Sequence, residues 1–154
     1  MLPASLCGVG EREEIVRSLR SERTVDIVTT GRRSGEPRTT EIWITPIGSR
    51  VFICGTPNAS RENVVRAPRD WLANLKGHAA LVVRLKTSIS AELAADAAPI
   101  TDPDERRRIL THPSTQYYRD AVSLDAAVAH SPVVELTFTG EAAWVNDALR
   151  DSTD

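Results

Sequence analysis

The groups best suited to bind or react cluster in one short stretch, Thr29-Thr30-Gly31-Arg32-Arg33-Ser34-Gly35-Glu36-Pro37-Arg38. Its glycines let the backbone approach a ligand closely and reach positive φ, so that amide N–H groups can converge on an anion. Arg32, Arg33 and Arg38 add planar guanidinium forks whose geometry matches phosphate. Ser34 adds a hydroxyl donor. Spacing alone leaves a second reading open, that of a solvated basic turn.

A second group is Trp71-Leu72-Ala73-Asn74-Leu75-Lys76. Trp71 and Leu75 are four apart, hence on one helical face, with Asn74 and Lys76 expected to point elsewhere. By itself this is a core-packing helix with a polar back. A third is Tyr117-Tyr118, because tyrosines can flank a flat ring and still hydrogen-bond through their hydroxyls, although taken alone the pair is better read as ordinary packing. His78, His112 and His130 have no acidic or cysteine neighbour at ligand spacing, so no metal site is expected. No nucleophile elbow and no paired carboxylates stand out, and Asp102 to Arg108 reads as a solvated helix start. Cys7 and Cys54 fit no metal spacing and read as a terminal thiol and a buried strand thiol.

These groups need a frame. Glu11 to Glu22 carries Ile15, Val16 and Leu19 on one face and predicts an amphipathic helix after a loose arm over 1–10. Val25 to Thr30 is β-branched and predicts a strand, which the Gly31–Pro37 loop ends. From Arg38 to Ile47 a long strand alternates Ile42 and Ile44 with Glu41, Trp43 and Thr45, and Gly48-Ser49 turns it into a strand from Arg50 to Gly55. Thr56 to Pro68 is irregular, a short helix spans Arg69 to Gly77, and strands follow over Ala79 to Lys86 and, alanine-rich, Ser88 to Ala98. Thr101 or Asp102 caps a helix from Pro103 to Leu110, a second helix covers Ser114 to Ala129, and Pro132 to Thr139 is the last strand; no element is assigned after Gly140. About six strands with short helices predict a mainly β (α+β) fold, an antiparallel barrel with helical decorations. The expected division is an N-terminal arm and helix over 1–23, a barrel over 24–140 and a tail over 141–154.

The chain's 154 residues suit one domain. With 19 basic residues against 21 acidic ones the net charge is −2, which argues against a nucleic-acid or membrane-surface binder but leaves room for a local anion site. No charged region followed by an apolar run opens the chain, and no apolar run approaches the ~18 residues that span a bilayer, so the cytoplasm is the default expectation.

Taken in order, the pieces resemble a known family. Thr30-Gly31-Arg32-Arg33-Ser34-Gly35 with Pro37-Arg38, then Trp71-Leu72-Ala73-Asn74-Leu75, then Pro132-Val133-Val134-Glu135 are similar to the deazaflavin-dependent nitroreductases, also called F420H2-dependent quinone reductases, of the split β-barrel flavin-binding superfamily. The resemblance implies a barrel that binds coenzyme F420 and passes hydride to a quinone, nitroaromatic or other electrophile. It places Arg32, Arg33, Ser34 and Arg38 at the phosphate end, Thr40 and Trp43 beside the cofactor, Trp71 and Asn74 around the pocket, and Thr56 near the cofactor tail. Tyr117 and Tyr118 fall toward the substrate, and Tyr118 alone matches the family's tyrosines by position. The chain departs from the family pattern at Thr56-Pro57, where relatives carry serine and lysine, and at Glu41, where they are apolar; Arg61 or Arg66 could replace the missing cation. FMN in place of F420, or a non-catalytic cofactor or fatty-acid carrier, are the alternatives. Split barrels commonly pair, so a homodimer is expected by analogy; the other partner is a small-molecule electron acceptor.

Overall fold

A computed structural model of the chain describes residues 2–3, 9–55, 70–121 and 123–151. Its elements are β1 (Leu2–Pro3), α1 (Val9–Ser21), β2 (Thr24–Thr30), β3 (Pro37–Ile47), β4 (Arg50–Cys54), α2 (Asp70–Gly77), β5 (Ala80–Leu85), β6 (Ala91–Pro99), α3 (Pro103–Leu110), α4 (Gln116–Ala121), α5 (Leu124–His130), β7 (Val133–Phe138) and α6 (Trp144–Asp151), with 3-10 turns at Pro113–Thr115 and Gly140–Ala142. The strands run in the order β6-β5-β2-β3-β4-β7, and β7 pairs back onto β6. All of these pairings are antiparallel, so six strands close into a barrel with β1 as a short parallel addition to β6. Closure removes the unpaired edges that an open sheet exposes.

Strand alternation decides which side chains fill the barrel. Val25, Ile27, Ile44, Val51, Ile53, Leu81, Val83, Leu85, Leu93, Val134, Leu136 and Phe138 meet in one buried cluster. Alanine is a weak strand former, yet β6 is a strand because Ala91, Ala95 and Ala97 point inward opposite the larger residues of β5 and β7. Small inward residues let a narrow barrel close around bulky neighbours. Ile15 and Leu19 of α1 and Val145 and Leu149 of α6 join this cluster, as do Trp71, Leu72 and Leu75 of α2. The segment after Gly140 therefore contributes a helix to the core, where the sequence reading assigned none.

A second buried cluster lies outside the barrel wall. Phe52, Cys54 and Val133 on the outer face of β4 and β7 pack against Ile109, Leu110 and Ala127. Arg106 of α3 binds this layer together by donating to the carbonyls of Val128 (2.7 Å), Ile100 (2.8 Å) and Ser131. Arg50 ties β4 to Glu135 of β7 (2.8 Å) and to Glu105 of α3. The single helix expected over 114–129 is two helices, because Ser123 accepts a hydrogen bond from the Ala126 amide (3.2 Å) and starts α5 afresh. At the start of α3 the cap is Asp102 rather than Thr101, its carboxylate accepting from the Glu105 amide at 2.9 Å. Among the described residues, no helix is long and apolar enough to cross a membrane.

Candidate functional site

The loop between β2 and β3 folds because its own backbone closes it. The Gly31 amide donates to the Glu36 carbonyl (2.8 Å), the Gly35 amide donates to the Gly31 carbonyl (2.9 Å), and the Glu36 amide donates to Ser34 Oγ (3.1 Å). Gly35 sits at φ 71°, a region that side chains rarely adopt. Gly31 is required for space instead: a Cβ there would lie 2.6 Å from Ser34 Oγ and 3.3 Å from the Glu36 carbonyl oxygen. The amide of Arg32 donates to Asn74 Oδ1 (3.0 Å). Four amides that were expected to converge on an anion, those of Gly31, Arg32, Gly35 and Glu36, are thus committed within the protein.

The loop's side chains do converge. Gly31, Arg32, Arg33, Ser34, Arg38, Thr39, Thr40, Trp71 and Asn74 line one cleft of about 420 Å³. β2 ends and β3 begins here, and α2 lies across this end of the barrel, with Trp71 and Asn74 turned into the cleft. Arg33 and Arg38 have no carboxylate partner among the described residues, whereas Lys86 is held by Asp26 and Glu41. Unpaired guanidinium groups lining a concave surface in an acidic protein make a site selective for negative charge.

Asn74 is buried, which corrects its expected place on the polar back of α2. It lies 60° around the helix from Trp71, close enough to share the cleft-facing side, and its Nδ2 donates to Thr29 Oγ1 (3.3 Å). Lys76 does point away, as expected, and lies exposed beyond Leu72. Thr39, which local pattern does not single out, lines the cleft beside Thr40, near the start of β3.

Of the other expected site residues, Trp43 does not line this cleft. It stands three positions after Thr40 on β3, so strand alternation turns it to the outer face. There its ring packs edge-on to Tyr117, with centroids 5.4 Å apart and planes at 60°. Arg23 covers Trp43 at 5.5 Å while donating to Thr45 Oγ1 (3.1 Å) and the Ser114 carbonyl (3.0 Å). Trp43 and Tyr117 are both exposed, 42% and 56%. Thr56, Arg61 and Arg66 lie outside the described residues, as does the side chain of Tyr118.

Two other reactive groups, His112 and Cys54, sit in structural settings. His112 Nδ1 accepts from the Ser114 amide (3.1 Å) and caps the 3-10 turn. No group of three or more metal-ligating side chains occurs among the described residues. Burial pushes the Cys54 thiol up to about 12, although a hydrogen bond with Thr45 and the charges of Arg23 and Arg106 oppose the shift.

Solved structures of known proteins share this architecture. A protein from Clostridium acetobutylicum related to general stress protein 26 of the pyridoxinephosphate oxidase family superposes with a TM-score of 0.57, at 14% identity over 83% of this chain and 81% of its own. An FAD-binding protein from Mesorhizobium loti gives 0.55, at 9% identity over 87% and 91%. A conserved hypothetical protein from Mycobacterium tuberculosis gives 0.56, at 17% identity over 83% and 80%. At such identities the likeness establishes the split-barrel fold alone. The family model described as F420H(2)-dependent quinone reductase matches residues 10–136, a span that holds the whole barrel wall from β2 to β6, most of β7 and every residue of the cleft, and the chain belongs to that family.

Proposed function

We propose that this protein is an oxidoreductase that uses reduced coenzyme F420 to deliver hydride to a quinone, nitroaromatic or other electrophilic small molecule. The observation that carries this reading is the cleft in which the Arg33 and Arg38 guanidinium groups, unpaired, stand with Arg32, Ser34 and Thr40 against Trp71 and Asn74. A phosphate with an attached ring system suits that lining, since the cations meet the anionic end and Trp71 offers an apolar wall. The cradle fits as well: Gly31 leaves the space that a Cβ would take from Ser34, so the hydroxyl can stay beside the arginines.

The bound deazaflavin would supply the hydride chemistry. The chain's own residues would bind its anionic end through Arg32, Arg33, Arg38 and Ser34, and Asn74 would fix the loop that carries them. No protein base is required, because orientation and exclusion of water are the protein's contribution. Trp43 and Tyr117 would receive a flat acceptor on the outer side of β3 through their exposed aromatic edges. Cytoplasmic location and pairing into a homodimer belong to the same reading.

Titration of the purified protein with F420, FMN and FAD, followed by fluorescence, tests the proposal. Saturable binding of F420, tighter than FMN, is the expected result. Tighter binding of FMN would favour a flavin-dependent reductase of the same fold, a reading that the FAD-binding neighbour makes worth the comparison. Binding of none of the three would end the cofactor reading altogether. A stopped-flow mixture of F420H2-loaded protein with menadione then separates a reductase from a carrier.

A further inference from the structure

A second cleft opens on the other side of α2, at the same end of the barrel. About 350 Å³ is enclosed by Leu72 and Lys76 of α2, the segment Pro99-Ile100-Thr101 leaving β6, Arg106 of α3, and Ala129 to Val133 leading into β7. Leu72 and Lys76 are four apart on one helical face, roughly opposite Trp71 and Asn74, so α2 separates this cleft from the arginine-lined one.

Its chemistry is lopsided. No carboxylate lines it among the described residues, where the titratable groups are Lys76, Arg106 and His130, in a chain whose 21 aspartates and glutamates outnumber its 19 lysines and arginines. Arg106 makes no ion pair among the described residues; three of its N–H groups go to the carbonyls of Ile100, Val128 and Ser131, two N–H groups remain, and desolvation lowers its pKa. Among the described residues Lys76 is likewise without a carboxylate partner. Ser131 also lines the cleft, and its hydroxyl is buried with no hydrogen-bond partner among the described residues. A buried hydroxyl left unpaired is uncommon in folded proteins and invites an explanation. The carbonyls at the end of α5 would repel an anion, but Arg106 already occupies them.

We propose that this cleft is a binding site for a small organic carboxylate with an apolar body. Lys76 and the spare N–H groups of Arg106 take the charge, the Ser131 hydroxyl donates to a carboxylate oxygen, and Leu72, Ile100, Pro132 and Val133 face the apolar part. One mobile ammonium, one hydroxyl and a largely committed guanidinium match a monoanion better than a phosphate dianion, which would need more donors. The site does not depend on the cofactor assigned above, because none of its lining residues borders the first cleft.

Benzoate is a suitable probe, with benzyl alcohol as the neutral isostere and phenyl phosphate as the dianion. Amide chemical shifts of the full chain should move at Lys76, Thr101 and Ser131 to Val133 on adding benzoate, saturably. Benzyl alcohol should leave them unmoved, and phenyl phosphate should bind more weakly than benzoate. Lys76→Glu, at an exposed position that does not endanger folding, should weaken benzoate at least tenfold, and Ser131→Ala should weaken it severalfold. The proposal is overturned if millimolar benzoate moves none of these amides, if Lys76→Glu binds as well as the parent, or if the shifts appear at Gly31 to Arg38 instead. It is also overturned if saturating F420 abolishes the benzoate shifts by direct competition, since the cleft would then be part of the cofactor site.

Discussion

The Arg32 backbone amide donates to Asn74 Oδ1 at 3.0 Å, so the basic loop is fastened to the helix that closes the barrel. Asn74 also donates to Thr29 Oγ1 (3.3 Å), one strand residue before the loop begins. A buried side chain thereby holds both ends of its amide in use, as a polar group at that depth must.

Asn74→Ala removes both partners at once and leaves the Arg32 amide without its acceptor. Loss of about 1–3 kcal/mol of folding stability is expected, measured as a lower urea midpoint with unchanged slope. Affinity for F420 should fall in parallel, because the arginines lose their fixed base. Unchanged stability would show that the loop holds its shape without α2.

Gly31→Ala places a methyl group 2.6 Å from Ser34 Oγ. The hydroxyl must move, so F420 binding should weaken more than folding does. A Gly31→Ala/Ser34→Ala double variant relieves the clash and should recover part of the stability that the single variant loses, but not the affinity. The cycle is read by comparing urea midpoints with F420 titrations of the same four proteins.

Arg33 is exposed and lines the cleft. Arg33→Ala should therefore weaken F420 binding by about 1–3 kcal/mol, the scale of a lost charge-assisted hydrogen bond, and leave the thermal midpoint nearly unchanged. Affinity unaffected by the substitution would remove Arg33 from the phosphate site.

The Cys54 thiol resists ionisation in the folded protein up to about 12 but ionises near 9.0 when exposed. The folded state therefore holds one more proton between these values, and stability must fall as pH rises through that window. The contribution is complete below 9.0 and amounts to roughly 1 kcal/mol of loss by pH 10. Urea denaturation at pH 8 and pH 10 should show this loss in the parent and less of it in Cys54→Ala. In a Cys7→Ser background at pH 8, a thiol reagent should label Cys54 only after denaturant is added.

Much of this architecture was legible from local pattern. The alternation of Ile42 and Ile44 with Glu41, Trp43 and Thr45 fixed β3 and its two faces, and Gly48-Ser49 fixed the hairpin. Residues 31 to 38 announced themselves because glycine spacing and guanidinium chemistry are properties of a contiguous segment. Three matters were decided only in three dimensions. Asn74 became a buried clamp because its partners, Thr29 and Arg32, are 45 and 42 residues away in the chain. Trp43 stands outside the arginine-lined cleft and meets Tyr117 because closure of the barrel gives β3 an inside and an outside, and the outside at that point faces the segment carrying Tyr117. The alanine-rich β6 became a wall because β5 and β7 supply its hydrogen bonds and need small residues opposite them. Short-range composition determined which groups could bind an anion; long-range pairing determined which of them share a surface, because a side chain's neighbours depend on the strand beside it rather than on the residues next to it in sequence.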